Sequence, residues 1–113
     1  MHFLGNCLID FESEDVAVAE TYCMVYQRYG AEAGETIRFW LGEQELPAGK
    51  KLMVELACRY VDRLERRNGE WRIARRTVVM EESKVCVQPV RLRPGYAQAA
   101  RDGTDTLWAA LDA

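Results

Sequence analysis

A single histidine, His2, is the one side chain of this sequence that can give and take a proton near neutral pH without a large environmental shift. It stands second in the chain, so two readings stay open: an acid/base group held in a strand, or a frayed terminal residue. Four cysteines, Cys7, Cys23, Cys58 and Cys86, never form C-x-x-C, and one histidine cannot complete a Cys/His zinc set beside them. They read as small apolar core residues of a reducing compartment, with a redox role as the alternative. Arg59, Asp62 and Arg63, with Arg75 and Arg76 downstream, suit either bidentate capture of an anionic substrate or a solvated cross-strand charge ladder. With Glu55, Glu65, Glu81 and Glu82 close in sequence, the ladder is the favoured reading. The phosphate loops, the H-E-x-x-H and EF-hand spacings and the G-x-S-x-G elbow are all missing, so no cofactor, metal or covalent nucleophile is expected.

These residues need elements to hold them. His2 to Phe11 is rich in strand formers, and the acidic run Glu12 to Asp15 breaks it as a turn would. Val16 to Tyr29 reads as a long second strand paired antiparallel to the first; a helix competes, because Tyr22, Val25, Tyr26 and Tyr29 also fit a helical stripe. Gly30 to Lys51, punctuated by Gly and Pro, reads as a long connection with one short element around Ile37 to Leu41. Lys51 to Arg67 and Glu70 to Met80 flank Asn68-Gly69, a pair suited to a type I′ hairpin turn. Along the first arm, Leu52, Val54, Leu56, Cys58 and Tyr60 form a mostly apolar face, as in a sheet covered on one side. Past Val85, Pro89 and Pro94-Gly95 disfavour sheet. Thr104 to Leu111 predicts a terminal helix, capped by Thr104 or Asp105, with Leu107, Trp108 and Leu111 as one docking stripe.

At 113 residues the sequence has room for one core, and residues 1–113 are expected to form one domain. With 49% apolar and 29% charged residues it falls in the globular class. A net charge of -3 disfavours non-specific nucleic-acid binding, which needs a clustered basic surface. No apolar run approaches the roughly 20 residues of a membrane span, and no secretory leader is recognisable, so no membrane partner and a cytoplasmic location are expected.

Two stretches carry a resemblance. His2-Phe3-Leu4-Gly5-Asn6 is similar to the H-x-x-G-N opening of a strand in SnoaL-like proteins of the nuclear transport factor 2 superfamily. Arg59-Tyr60-Val61-Asp62-Arg63, with Asn68 to Arg76, resembles their final hairpin. The similarity runs from His2 to about Met80, and Gly30 to Lys51 fits poorly. It implies an α+β cone with a curved antiparallel sheet, here lacking the N-terminal helices, followed by a short C-terminal helix. Relatives of this type include scytalone dehydratase, bile-acid dehydratases, polyketide cyclases and ketosteroid isomerases. In the dehydratase branch the strand-opening histidine faces the pocket as general acid/base, which puts His2 in that role. The family places a second His or Asp just before Gln-Arg-Tyr, where this sequence has Tyr26. The absent helices leave the lid to an upstream segment, to the C-terminal segment, or to a second subunit.

The resemblance therefore implies a small-molecule pocket protein, acting as a cofactor-independent dehydratase, isomerase or cyclase on a small cyclic hydrophobic molecule. Under ideal alternation His2, Leu4, Asn6 and Leu8 share one face of strand one, and Glu20, Tyr22, Met24 and Tyr26 share one face of strand two. Their convergence gives the candidate site: His2 as acid/base, and Asn6, Tyr22, Met24, Tyr26, Leu56 and Tyr60 as ligand contacts. Tyr22 and Tyr26 read equally as amphipathic core, and Asn6 as part of a bulge after Gly5. The alternative is a non-catalytic binding or scaffold subunit, and a homo-oligomer is expected to cover the open sheet.

Overall fold

The computed structural model describes residues 1–88 and 94–112. Its elements are β1 (His2–Ser13), β2 (Val16–Tyr29), α1 (Gly34–Leu41), β3 (Lys51–Arg67), β4 (Glu70–Gln88) and α2 (Thr106–Leu111). The four strands form one antiparallel sheet in the order β1-β2-β3-β4. Val16 to Tyr29 is a strand, so sheet pairing on both sides decides what the local pattern left open. Asn68 and Gly69 adopt φ of 54° and 78°, the positive pair that a type I′ turn demands. The hairpin grows from that turn well past Met80, because the long β3 offers partners as far as Lys51, opposite Gln88. The expected break at Pro89 lies outside the described residues, while Pro94-Gly95 forms a turn with φ of 91° at Gly95.

Residues directly opposed in an antiparallel ladder share a face, so the register assigns two sides. The inner face carries Ala17, Ala19, Cys23 and Val25 of β2 beside Leu64, Asp62, Cys58 and Leu56 of β3. The outer face carries Val18, Glu20, Tyr22, Met24 and Tyr26 beside Arg63, Val61, Arg59, Ala57 and Glu55. The apolar alternation of β3 thus marks the inner face as the sequence implies. α1 seals one end of it: Ile37 is buried with Leu52 and Val54, flanked by Tyr29, Trp40 and Val85. Complete burial of a side chain such as Leu52 contributes about 1.5–3 kcal/mol. The helix stops at Gly42, whose φ of 64° turns the chain away while its N–H donates to the Arg38 carbonyl.

The sheet is curved. β1 and β4 are separated by two strands, about 14 Å if the sheet were flat, yet the rings of Phe11 on β1 and Trp71 on β4 meet edge to face at 5.8 Å. Ala17, lying beside Phe11 in the ladder, is too small to hold the rings apart. Beyond α1 the inner face is open, with Leu4, Ile9, Phe11, Val78 and Met80 all at least half exposed. The expected docking stripe of α2 is not docked: Leu107, Trp108 and Leu111 are exposed, and no residue of this helix is buried. Asp105 rather than Thr104 caps α2, its carboxylate accepting from the Leu107 N–H at 3.0 Å.

Candidate functional site

The polar centre of the inner face is built by three side chains from neighbouring rows. Asp62 on β3 is 5% exposed. It accepts two hydrogen bonds from Arg76 on β4, Nε to Oδ1 and Nη2 to Oδ2, both at 2.7 Å. A buried carboxylate requires such a fork, because desolvation without it costs several kcal/mol. The same guanidinium lies 4.1 Å from the ring centre of Tyr60, a cation–π contact one row along β3. The bonds to Asp62 push Arg76 further above its ordinary value and fix its charge. Tyr60 packs against the buried Cys23, and that neighbouring sulfur, then burial, push the phenol upward. The Tyr60 ring therefore stays protonated and available as a hydrogen-bond donor through neutral pH. The bonds to Asp62 leave further N–H donors on Arg76, whose side chain is 41% exposed.

A one-residue irregularity delivers Arg76 to this place. Counting outward from Arg67 opposite Glu70, an unbroken ladder would set Asp62 against Arg75. The register shift between Arg63 and Leu64 puts an extra residue, Ala74, into β4, and Asp62 meets Arg76 instead. No signal in the sequence announces that bulge, which is why the Asp62–Arg76 pair was not singled out.

His2 is held, not frayed: Met1 exchanges backbone hydrogen bonds with Tyr26, at 2.8 Å and 2.9 Å. It stands opposite Val25, in the row that continues to Leu56 on the inner face. Tyr60 lies opposite Thr21, four residues further along β2, about 14 Å away. His2, Leu56 and Tyr60 therefore share a face without His2 touching the polar centre.

The rest of the expected set is separated from them. Leu4 pairs with Cys23 and Cys7 with Thr21, so Gly5 and Asn6 together oppose Tyr22 in a bulge. The extra residue reverses the alternation of β1, and Leu8 lands on the side opposite His2. Tyr22, Met24 and Tyr26 lie on the outer face, so they do not converge with His2 on one cavity. Tyr22 and Met24 instead line an outer groove of about 480 Å³ with Phe3, Gly5, Ala57 and Glu81. Asn6 is exposed in the bulge.

The charged residues divide the same way. Arg59 bonds Glu20 and Glu81, both at 2.7 Å, and Arg63 bonds Glu12 at 3.0 Å, which is the expected cross-strand ladder on the outer face. Asp62–Arg76 departs from this ladder by facing inward. Of the cysteines, Cys23 and Cys58 are buried as expected, Cys86 is half-buried and Cys7 is exposed. Trp71 is 38% exposed, with the Arg66 guanidinium 5.7 Å from its ring centre. Among the described residues, no group of three or more His, Cys, Asp or Glu side chains is placed to hold a metal ion. Among them, too, no helix is long and apolar enough to cross a membrane.

Comparison with known proteins agrees with this architecture. A solved structure named "Putative Scytalone Dehydratase" from Novosphingobium aromaticivorans DSM 12444 superposes with a TM-score of 0.50 at 22% sequence identity. The match covers 86% of this chain and 53% of that one, so the chain spans about half the length of that structure. Among curated proteins none matches the chain. The family model for the SnoaL-like domain matches residues 1–77, which take in the strand that opens with His2 and the hairpin through Arg76. The chain belongs to the SnoaL-like domain family.

Proposed function

We propose that the inner face receives a small cyclic hydrophobic molecule bearing an oxygen function and moves protons on it, as a cofactor-independent dehydratase, isomerase or cyclase. The observation that carries this reading is the Tyr60–Asp62–Arg76 centre set in a curved apolar surface. Hydrogen-bond donors fixed in advance around a site of developing negative charge are the largest single source of such catalysis. Arg76 and Tyr60 supply those donors, Asp62 holds Arg76 in place, Leu56 is part of the apolar wall, and His2 is the acid/base. His2 lies four residues along the sheet and two strands across from Tyr60, a separation that suits a fused-ring ligand better than a single ring. The solved neighbour's name makes dehydration the first reaction class to assay.

The test is binding and turnover of a hydroxylated fused-ring ketone, followed by its change in ultraviolet absorption. Arg76→Gln is expected to weaken binding at least tenfold, and His2→Ala to lower kcat/KM by about 10²–10⁴. Absence of saturable binding to the wild-type chain would overturn the reading. Unchanged turnover in His2→Ala would remove the acid/base role alone.

A second reading, a homo-oligomeric binding or scaffold subunit, is supported by the exposed area. The chain exposes 9127 Å², where a compact monomer of 13.0 kDa exposes about 6,300 Å². The excess is larger than the roughly 1,600 Å² of a standard interface. Sedimentation as a folded monomer that binds no hydrophobic dye would exclude it.

A further inference from the structure

Cys23 and Cys58 stand directly opposite each other in the β2–β3 ladder, the one strand pair in which no register shift occurs. Residues so placed have Cα atoms about 4.5–5.5 Å apart, inside the window of about 4.4–6.8 Å in which a disulfide closes. Both sit in one buried cluster on the inner face, with Leu56 and Tyr60 packed against it. Both are thiols. Cys7 faces Thr21, whose hydroxyl donates to its sulfur at 3.2 Å, and Cys86 faces Met53. Neither of these opposes another cysteine.

The two central sulfurs have different surroundings. Tyr60 packs against the buried cluster that holds both sulfurs. The Arg76 guanidinium, seated on the Tyr60 ring, adds positive charge beside it. Burial, and then the Cys23 sulfur, push the Cys58 thiol up, so Cys58 keeps its proton until it is needed.

We propose that Cys23 and Cys58 form a reversible cross-strand disulfide beneath the inner face, with a low-molecular-weight disulfide such as oxidised glutathione as the oxidant. Cys23, as thiolate, attacks one sulfur of the oxidant. A mixed disulfide forms, and one glutathione thiolate leaves and takes up a proton. Cys58 then releases its proton and its sulfur attacks Cys23 Sγ, expelling the second glutathione thiolate. Two protein thiols lose two electrons in all, and one oxidant disulfide becomes two thiols. Opposed Cβ atoms lie about 4.5–5.5 Å apart, beyond the mean of about 3.8 Å in a relaxed disulfide. Closure therefore draws β2 and β3 together, and the bond reopens readily under reducing conditions. In the closed state the cluster under Tyr60 is cross-linked, so the modification acts on the polar centre of the inner face.

The experiment treats the folded chain with oxidised glutathione, counts thiols and maps disulfide-linked peptides. The expected result is loss of two of the four thiols, an intact mass lower by two hydrogens, a Cys23–Cys58 peptide, and full reversal by dithiothreitol. Cys58→Ser, or Cys58→Ala, is expected to stop at the glutathione adduct on Cys23. Cys23→Ser is expected to leave no glutathione adduct, and an adduct on Cys58 in that variant would overturn Cys23 as the attacking sulfur. Retention of all four thiols, a link through Cys7 or Cys86, or a bond only between two chains would overturn the disulfide itself. The wild-type map decides this whether or not the variants fold.

Discussion

Two arginine–carboxylate groupings lie a short way apart on one hairpin, and they do opposite things. On the outer face Arg59 bridges Glu20 and Glu81, with all three side chains about a third to a half exposed. On the inner face Arg76 bridges Asp62, whose side chain is only 7% exposed. Residue chemistry does not separate them. Strand parity does: Arg59 and Asp62 stand three residues apart on β3 and face opposite sides, and the inserted Ala74 sets Arg76 rather than Arg75 opposite Asp62. An exposed network is screened and contributes little, whereas breaking a buried pair strands a desolvated charge.

The comparison breaks first at Asp62. Asp62→Ala should cost about 3 kcal/mol in urea unfolding, near the low end for a buried pair because Arg76 can turn to water. Arg59→Ala should shift the urea midpoint far less, and lose even that shift in high salt. A loss at Arg59 equal to that at Asp62 would erase the distinction. Within the inner face the covered and open ends differ as well. Leu52→Ala beneath α1 should cost about 3 kcal/mol, against less than about 1 kcal/mol for Val78→Ala, which is 52% exposed. Similar losses would mean that the open end is roofed in solution.

A smaller effect is alkaline. The folded pKa of Tyr60 lies above its ordinary value of 10.0, chiefly through the neighbouring Cys23 sulfur and then through burial. The folded state therefore holds this proton more tightly than the unfolded one. The stabilisation is complete below pH 10, and it is lost as pH rises through the folded value. Tyr60→Phe should flatten the pH dependence of the melting temperature above pH 10; an unaltered slope would contradict the assignment.

Much of the fold was legible because its cues are local. Asn68-Gly69 marked the hairpin, alternation from Leu52 to Tyr60 marked the inner face, and the H-x-x-G-N opening with Arg59 to Arg63 and Asn68 to Arg76 carried the family resemblance. The candidate site was legible only in part. His2, Leu56 and Tyr60 share a face, but Tyr22, Met24 and Tyr26 do not join them, because the Gly5-Asn6 bulge reverses β1. Bulges respond to how neighbouring strands twist and bend, and a single strand's pattern does not encode that. The opposed thiols escaped for the same reason. Cys23 and Cys58 are far apart in sequence, and only the register of β2 on β3 makes them neighbours.

Every inserted residue in the ladder, Gly5-Asn6 and Glu12 on β1, Ala74 and Glu81 on β4, lies on a rim strand, while β2 and β3 pair without interruption. A foreign strand approaching either margin meets amides and carbonyls out of step with its own, which makes both margins poor templates for fibril growth. An open, oily meander thereby keeps its sides closed to polymerisation and leaves its broad surfaces as the route for association.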